Sequence, residues 1–219
     1  MKVSLIDAGK RFNRDWIFRH LSYNFEEANS YAIIGPNGSG KSTLLQVLSG
    51  AMEVSEGRIE FSRQASVDSR QSNAPGRDPI VSSEEIFNYV SISAPYLEVV
   101  EEMTLREFLN FHARFKPLLP SASVEMIVSE IGLSGAINKQ IRHYSSGMKQ
   151  RVKIGQAIFS DTPFLLLDEP CTNLDEEGIA LYHQLIGRYC GDRLVVVSSN
   201  DEIEYRFCSH RINIGDYKK

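Results

Sequence analysis

The chain has 219 residues, 42 % of them hydrophobic and 24 % charged, with a formal net charge of −4. That length supports one well-buried domain, or a main domain carrying a smaller insertion, and the acidic balance argues against a general nucleic-acid binder. No apolar run approaches the roughly eighteen residues of a membrane helix. The start MKVSLIDAGKRF lacks a signal peptide's apolar core, and Cys171, Cys190 and Cys208 are odd in number, widely spaced and form no CxxC. The expectation is a reduced, cytoplasmic protein without a disulfide framework or a zinc site.

Short apolar runs that end in polar or Gly-rich turns predict strands at residues 2–6, 21–25, 31–34, 58–61, 164–167, 194–197 and 211–214. Several are separated by helical patterns, which implies a largely parallel α/β sheet, while the early strands with short links predict an antiparallel flank. Residues 63–83, rich in Ser, Asp, Arg, Gly and Pro, predict an exposed loop. From residue 104 to about 160 the signal is helical. Thr104 with Glu107 forms a capping box ahead of Leu105, Phe108, Leu109 and Phe115, a helix that Pro117 and Pro120 would end. Val124, Ile127, Val128 and Ile131 share one face of the next helix, which Gly132 stops. Tyr182, Leu185, Ile186 and Tyr189 do the same over residues 179–190. The reading is a single domain over residues 1–219, with a helical subdomain at about 96–160 inserted in the α/β core.

The segment YAIIGPNGSGKST holds the strongest chemical signal. Gly35, Pro36, Asn37, Gly38, Ser39, Gly40, Lys41, Ser42 and Thr43 satisfy the phosphate-loop spacing, with a strand pattern before and a helical one after. The glycines let backbone N–H groups converge on phosphate oxygens at a helix N-terminus. Lys41 supplies a point charge to the β- and γ-phosphates, and the Ser42 hydroxyl can ligate Mg²⁺. A second strand, Phe164-Leu165-Leu166-Leu167, ends in Asp168 and Glu169. Asp168 is placed to hold the Mg²⁺ shell and Glu169 to orient or deprotonate an attacking water. A third, LVVV, runs into Ser198, Ser199, Asn200 and Asp201, where Ser199 and Glu202 have capping-box spacing.

Between these lies His143-Tyr144-Ser145-Ser146-Gly147-Met148-Lys149-Gln150-Arg151. With GPNGSGKST before it and LLLDEPCTNLD after it, the order resembles the ATP-binding cassette family of ATPases over almost the whole chain. The family's signature is usually Leu-Ser-Gly-Gly-Gln; YSSGM looks like the variants of cassette exporters with separate permease subunits. The resemblance implies that Ser145 and Gly147 bind the γ-phosphate held by the other subunit's phosphate loop, in a head-to-tail dimer with two ATP. It also implies that Thr172-Asn173-Leu174-Asp175 is the dimer-contacting loop and that adenine stacks on an upstream aromatic, Phe12 by spacing or else Trp16.

Two positions depart from the family pattern. No glutamine lies between Tyr89 and Thr104, where the glutamine loop is expected; Ser93 or Ala94 falls nearest. The switch histidine is replaced by Asn200. The implied function is the ATP-binding and ATP-hydrolysing subunit of a transporter, an exporter, docked to a membrane permease at the cytoplasmic face near residues 95–102. Hydrolysis is expected to be slow, with Glu169, Asn200 and Lys41 as catalytic groups. Two alternatives stay open: a soluble cassette ATPase of translation or DNA repair, and a degenerate cassette that holds ATP with little turnover.

Overall fold

A computed structural model describes residues 1–63, 79–82 and 84–218. Two sheets organise it. The first is antiparallel, in the order β2-β1-β4-β5, from β1 (Lys2–Phe12), β2 (Asp15–Phe25), β4 (Glu56–Ser62) and β5 (Ile80–Val81). The second is parallel, in the order β6-β7-β8-β3-β9, from β3 (Ser30–Ile34), β6 (Val90–Ser93), β7 (Phe164–Asp168), β8 (Leu194–Ser198) and β9 (His210–Asn213). The parallel sheet with an antiparallel flank is the α/β architecture that the sequence implies.

The parallel strands β7 and β8 are buried on both faces, which is why they read as unbroken apolar runs. Alternate residues serve two cores. Leu165, Leu167, Val195 and Val197 face the helices α2 (Leu105–His112), α3 (Val124–Glu130), α4 (Ser146–Ile158) and α5 (Glu176–Tyr189). Phe164, Leu166, Leu194 and Val196 face α1 (Lys41–Leu48) and the antiparallel sheet. The helices α2 to α4 lie between β6 and β7 in the chain. Buried Arg193 ties this helical layer to the sheet: it donates to the Ile158 carbonyl at 2.7 Å, Ser91 Oγ at 2.9 Å and Thr162 Oγ1 at 2.8 Å.

Three local expectations need correction. Helix α2 stops at His112, before Pro117, and Phe115 is 66 % exposed, packed edge-on against Phe111 with ring centroids 5.0 Å apart. The expected loop over 63–83 contributes β5, which pairs with β4 through Val81 opposite Phe61; its residues 64–78 and 83 lie outside the described residues. Strand β1 runs on to Phe12, well beyond residue 6.

The start of α2 is as expected. The Thr104 N–H donates to Glu107 Oε2 at 2.9 Å, and the Glu107 N–H to Thr104 Oγ1 at 3.3 Å. Thr104→Ala should cost about 1 kcal/mol in urea denaturation, the ordinary value of an N-cap. The Thr104 N–H and hydroxyl hold the Glu107 carboxyl below its ordinary value. The carboxylate's share of this stability is therefore present at neutral pH and lost as pH falls through the lowered Glu107 pKa, so the gap between wild type and Thr104→Ala should narrow in acid without closing, because the bond from the Glu107 N–H to Thr104 Oγ1 does not titrate.

Candidate functional site

The phosphate loop leaves β3 after Ile34 and enters α1 at Lys41. Its backbone dictates its glycines. Gly40 caps the helix at φ +107°, and a Cβ there would lie 2.3 Å from Ile17 Cγ2. Gly35 is also in the left-handed region, and its absent Cβ leaves room for Ser39 Oγ. The loop closes through a Ser39 N–H bond to the Pro36 carbonyl at 3.1 Å. Lys41 is buried, its ammonium donating to the Gly35 carbonyl at 2.8 Å and the Pro36 carbonyl at 3.3 Å. The cation thus lies folded over the loop that a polyphosphate would enter. Ser42 and Thr43 occupy the first turn of α1, with partly exposed side chains.

Asp168 ends β7 opposite Ser198 of β8 and is 2 % exposed. Its Oδ1 has no hydrogen-bond partner among the described residues, and neither have Ser39 Oγ, Ser93 Oγ and Ser198 Oγ. An ionised carboxylate oxygen left bare in a protein interior is costly unless a cation or its water shell answers it. The donors fit Mg²⁺, a hard ion that takes one or two protein oxygens and leaves its other positions to water and phosphate. Glu169 follows in the left-handed region at φ +44°, unusual for a residue with a side chain and a mark of strain held by its surroundings. Its N–H donates to the Ser198 carbonyl at 2.9 Å.

The region of the missing glutamine holds other groups. Ser93 ends β6 beside Leu167 with a buried hydroxyl. Two residues that the sequence did not single out come near one another past this strand, Tyr96 and Gln46 of α1. Burial raises the Tyr96 pKa, the Gln46 side chain opposes the rise, and the charge of Asp168 adds to it, so the phenol stands near the acidic strand end. One signal could have found Gln46: it lies four residues after Ser42, on the same face of α1.

Asn200 lies on the exposed turn between β8 and α6 (Glu202–Tyr205), and its Nδ2 donates to Asn37 Oδ1 of the phosphate loop at 3.3 Å. The capping box expected from Ser199 and Glu202 does not form. Asp201 caps α6, accepting from the Ile203 N–H at 3.0 Å, while Ser199 Oγ accepts from the Asp201 N–H at 2.9 Å. Glu202 is drawn off to Arg211, 2.6 Å away. Asn37, Glu169, Ser199 and Asn200 share one cavity of about 340 Å³.

The signature segment lies elsewhere. Ser145 caps α4, accepting from the Met148 N–H at 3.2 Å. A Cβ on Gly147 would come within 3.0 Å of the Asn173 carbonyl, so the glycine admits the loop that follows Asp168 and Glu169. Arg151 of α4 pairs with Asp175, the cap of α5, at 3.2 Å. Ser145, Gly147 and Asn173 line a separate cavity of about 470 Å³ with no phosphate-loop residue in its lining. Of the two aromatics, Phe12 is 46 % exposed with the Lys10 ammonium over its ring, 5.4 Å from the centroid. Trp16 is already covered by the guanidiniums of Arg19 and Arg11, at 4.5 and 5.4 Å.

The loop geometry gives a direct test by thermal denaturation. MgATP at a hundred times its dissociation constant should stabilise the wild type by about 2.7 kcal/mol. Gly40→Ala, which forces a side chain into Ile17 at an unfavourable φ, should lower the melting temperature and remove the response to MgATP.

The model of the ABC transporter family matches residues 18–172. YybJ of Bacillus subtilis, an uncharacterised ABC transporter ATP-binding protein, is 27 % identical over 94 % of this chain and 89 % of its own. The zinc import ATP-binding protein ZnuC of Paracoccus denitrificans is 31 % identical, over 78 % of this chain and 57 % of its own. The cytochrome c biogenesis ATP-binding export protein CcmA of Agrobacterium fabrum is 24 % identical, over 92 % and 90 %. A Pyrococcus furiosus protein assigned as an ABC transporter ATP-binding protein shares the fold across the full length of both chains, at a TM-score of 0.80 and 18 % identity. A family match reaching from β2 to Thr172, on a fold shared end to end, leads to one conclusion: the chain belongs to the ABC transporter family, as an ATP-binding cassette.

Proposed function

We propose that this cassette hydrolyses ATP and passes the resulting motion to a membrane permease. The observation that carries the reading is the buried Asp168 carboxylate at the end of β7, its Oδ1 without a partner among the described residues, with Glu169 next in the chain in a strained backbone. Ser42 and Asp168 would hold Mg²⁺, Asp168 through water. The ion, when bound, neutralises charge on the β- and γ-phosphates. Lys41 leaves the Gly35 and Pro36 carbonyls for the phosphates, and the loop N–H groups from Gly35 to Thr43 cradle them. Glu169 takes a proton from the attacking water as its oxygen bonds to the γ-phosphorus and the bond to the ADP oxygen breaks. Phe12, exposed and without an aromatic partner among the described residues, offers its ring to adenine.

Ser145 and Gly147 lie in a different cavity from Glu169, so within one chain they do not complete the site. We assign them to the γ-phosphate of a second copy, or of a related cassette, in a head-to-tail dimer closed by two ATP. The unit is a single cassette over residues 1–219, with its helical subdomain at about 96–160. Exposed Tyr96, Leu97 and Val100, followed by Glu101 and Glu102, form the face offered to the permease at the cytoplasmic side of the membrane. The YSSGM signature favours an exporter. Among the described residues no helix is long and apolar enough to cross a membrane.

Asn200 sets the expected rate. A charge-assisted contact to the γ-phosphate is worth about 1.5–3 kcal/mol and a neutral amide about 0.5–1.5 kcal/mol. The difference, about 1–1.5 kcal/mol, is roughly five- to tenfold in rate. A cassette that holds ATP with little turnover is the second reading, favoured by the missing glutamine and by the Asn200 amide's existing bond to Asn37. Steady-state ATPase assays separate the two. Hydrolysis requires that Glu169→Gln abolish turnover, that Asn200→Ala lower kcat several-fold, and that Asn200→His raise it. Equal rates for wild type and Glu169→Gln would leave only the holding role. For transport, a polytopic permease should co-purify from solubilised membranes with wild type and be lost with Leu97→Glu; recovery of ribosomes or DNA-repair proteins instead would contradict it.

A further inference from the structure

The peptide unit between Pro170 and Cys171, one residue past Glu169, is held at both of its polar ends by buried side chains from opposite sides. Its carbonyl accepts from Gln150 Nε2 at 2.7 Å. Its N–H donates to Glu204 Oε1, also at 2.7 Å. Gln150 belongs to α4, the helix that Ser145 caps; Glu204 belongs to α6, which begins just after Asn200. Both residues are only 5 % exposed, so both bonds lie in the interior. Glu204 is itself anchored, because its backbone carbonyl accepts from the fully buried Tyr182 hydroxyl at 2.9 Å.

Burying a carboxyl group requires a return. Desolvation raises the Glu204 pKa; the bond from the Cys171 N–H opposes the rise, the charges of Asp201 and Glu169 reinforce it, and Glu204 Oε2 is buried with no hydrogen-bond partner among the described residues. Nothing in the core of α6 needs a carboxyl there, and an apolar side chain would fill the space without desolvation cost. The groups it serves lie on the loop leaving β7. That loop is also held by backbone bonds, from the Glu169 N–H to the Ser198 carbonyl at 2.9 Å, from the Thr172 N–H to the Glu169 carbonyl at 3.2 Å and from the Leu174 N–H to the Cys171 carbonyl at 3.0 Å, and at its far end by the Arg151–Asp175 pair. With Glu169 in a left-handed conformation, rotation of the following peptide would let its backbone relax and move its carboxylate.

We propose that Gln150 and Glu204 are positioning residues that clamp the Pro170–Cys171 peptide, so that the aim of Glu169 depends on the placement of both the signature helix and the switch turn. Closure of a dimer against Ser145 and Gly147 would then reach Glu169 through Gln150, while occupancy of the phosphate site, sensed by Asn200, would reach it through Glu204. This rests on the reading of Glu169 as the base for ATP hydrolysis.

The test compares ATPase kinetics and amide hydrogen exchange for wild type, Glu204→Ala, Glu204→Gln, Gln150→Ala and Gln150→Glu, with Glu169→Gln as reference. Glu204→Ala should lower kcat about tenfold or more with KM for ATP within about twofold, the pattern of a group that acts on the transition state and not on binding. Glu204→Gln keeps an acceptor for the Cys171 N–H and should recover to within about threefold of wild type. Gln150→Glu, nearly isosteric but without a donor, should lose kcat as Gln150→Ala does, which covers the case of an alanine variant that folds poorly. Exchange at the Cys171 amide should accelerate in Glu204→Ala and not in Glu204→Gln. Unchanged kcat in Gln150→Glu, equal losses in both Glu204 variants, or an effect confined to KM would overturn the clamp. Failure of the underlying reading looks different: turnover in wild type would then match Glu169→Gln before any clamp variant is compared.

Discussion

Two backbone hydrogen bonds beyond the ends of the strands hold the site together. The Glu169 N–H reaches the Ser198 carbonyl at 2.9 Å and the Ser199 N–H reaches the Ile33 carbonyl at 3.1 Å. They continue the parallel ladder in which Asp168 lies opposite Ser198, and Ser198 opposite Ile33. Three chain exits are thereby locked side by side: the phosphate loop, the acidic strand end and the turn carrying Asn200. Ligands of open parallel sheets gather outside these carboxyl ends because only there do loops from several strands converge. The register is fixed from within. Shifting β7 by one residue would exchange the faces of Leu165 and Leu166 and expel Asp168 from its place beside Ser198.

Much of this was legible in the sequence, for identifiable reasons. The phosphate loop could be read because close backbone approach admits few residues, and Gly40 against Ile17 shows how little space there is. Strands β7 and β8 could be read because burial on both faces demands apolar residues at every position. The start of α2 could be read because a capping box is local chemistry, completed within four residues. What failed was decided by groups distant in sequence. Glu202 has the spacing to cap against Ser199, but Arg211 competes for it and Asp201 takes the cap. Phe115 fits a helical face, but the helix has ended three residues earlier. Gln46, Tyr96, Gln150 and Glu204 carry no motif that announces them. Their importance arises from what the fold brings against them, and a single sequence does not contain that information.

The chain presents two incomplete halves of chemistry. One is the phosphate loop with Asp168, Glu169 and Asn200; the other is the N-terminus of α4 with Ser145 and Gly147, set in its own cavity. The halves are joined mechanically by α4, through Gln150 and Arg151, to the loop following Glu169. This arrangement suits an enzyme whose chemistry should wait for a second subunit, because a γ-phosphate supplies a contact in each direction. The neutral Asn200 and the absent glutamine weaken the links to the phosphate without removing Lys41, Asp168 or Glu169. Under the proposed function this means slow turnover with a long-lived closed state, which would give a permease time to move.

The central claim is that ATP completes the site by joining two cassettes. The most direct measurement is the mass of Glu169→Gln in solution, by light scattering, with and without MgATP. The account requires a monomer that becomes a dimer when MgATP is added, and a Gly147→Trp partner variant that stays monomeric while still binding ATP. A Glu169→Gln chain that stays monomeric with ATP bound, or dimerises equally without it, would contradict the account.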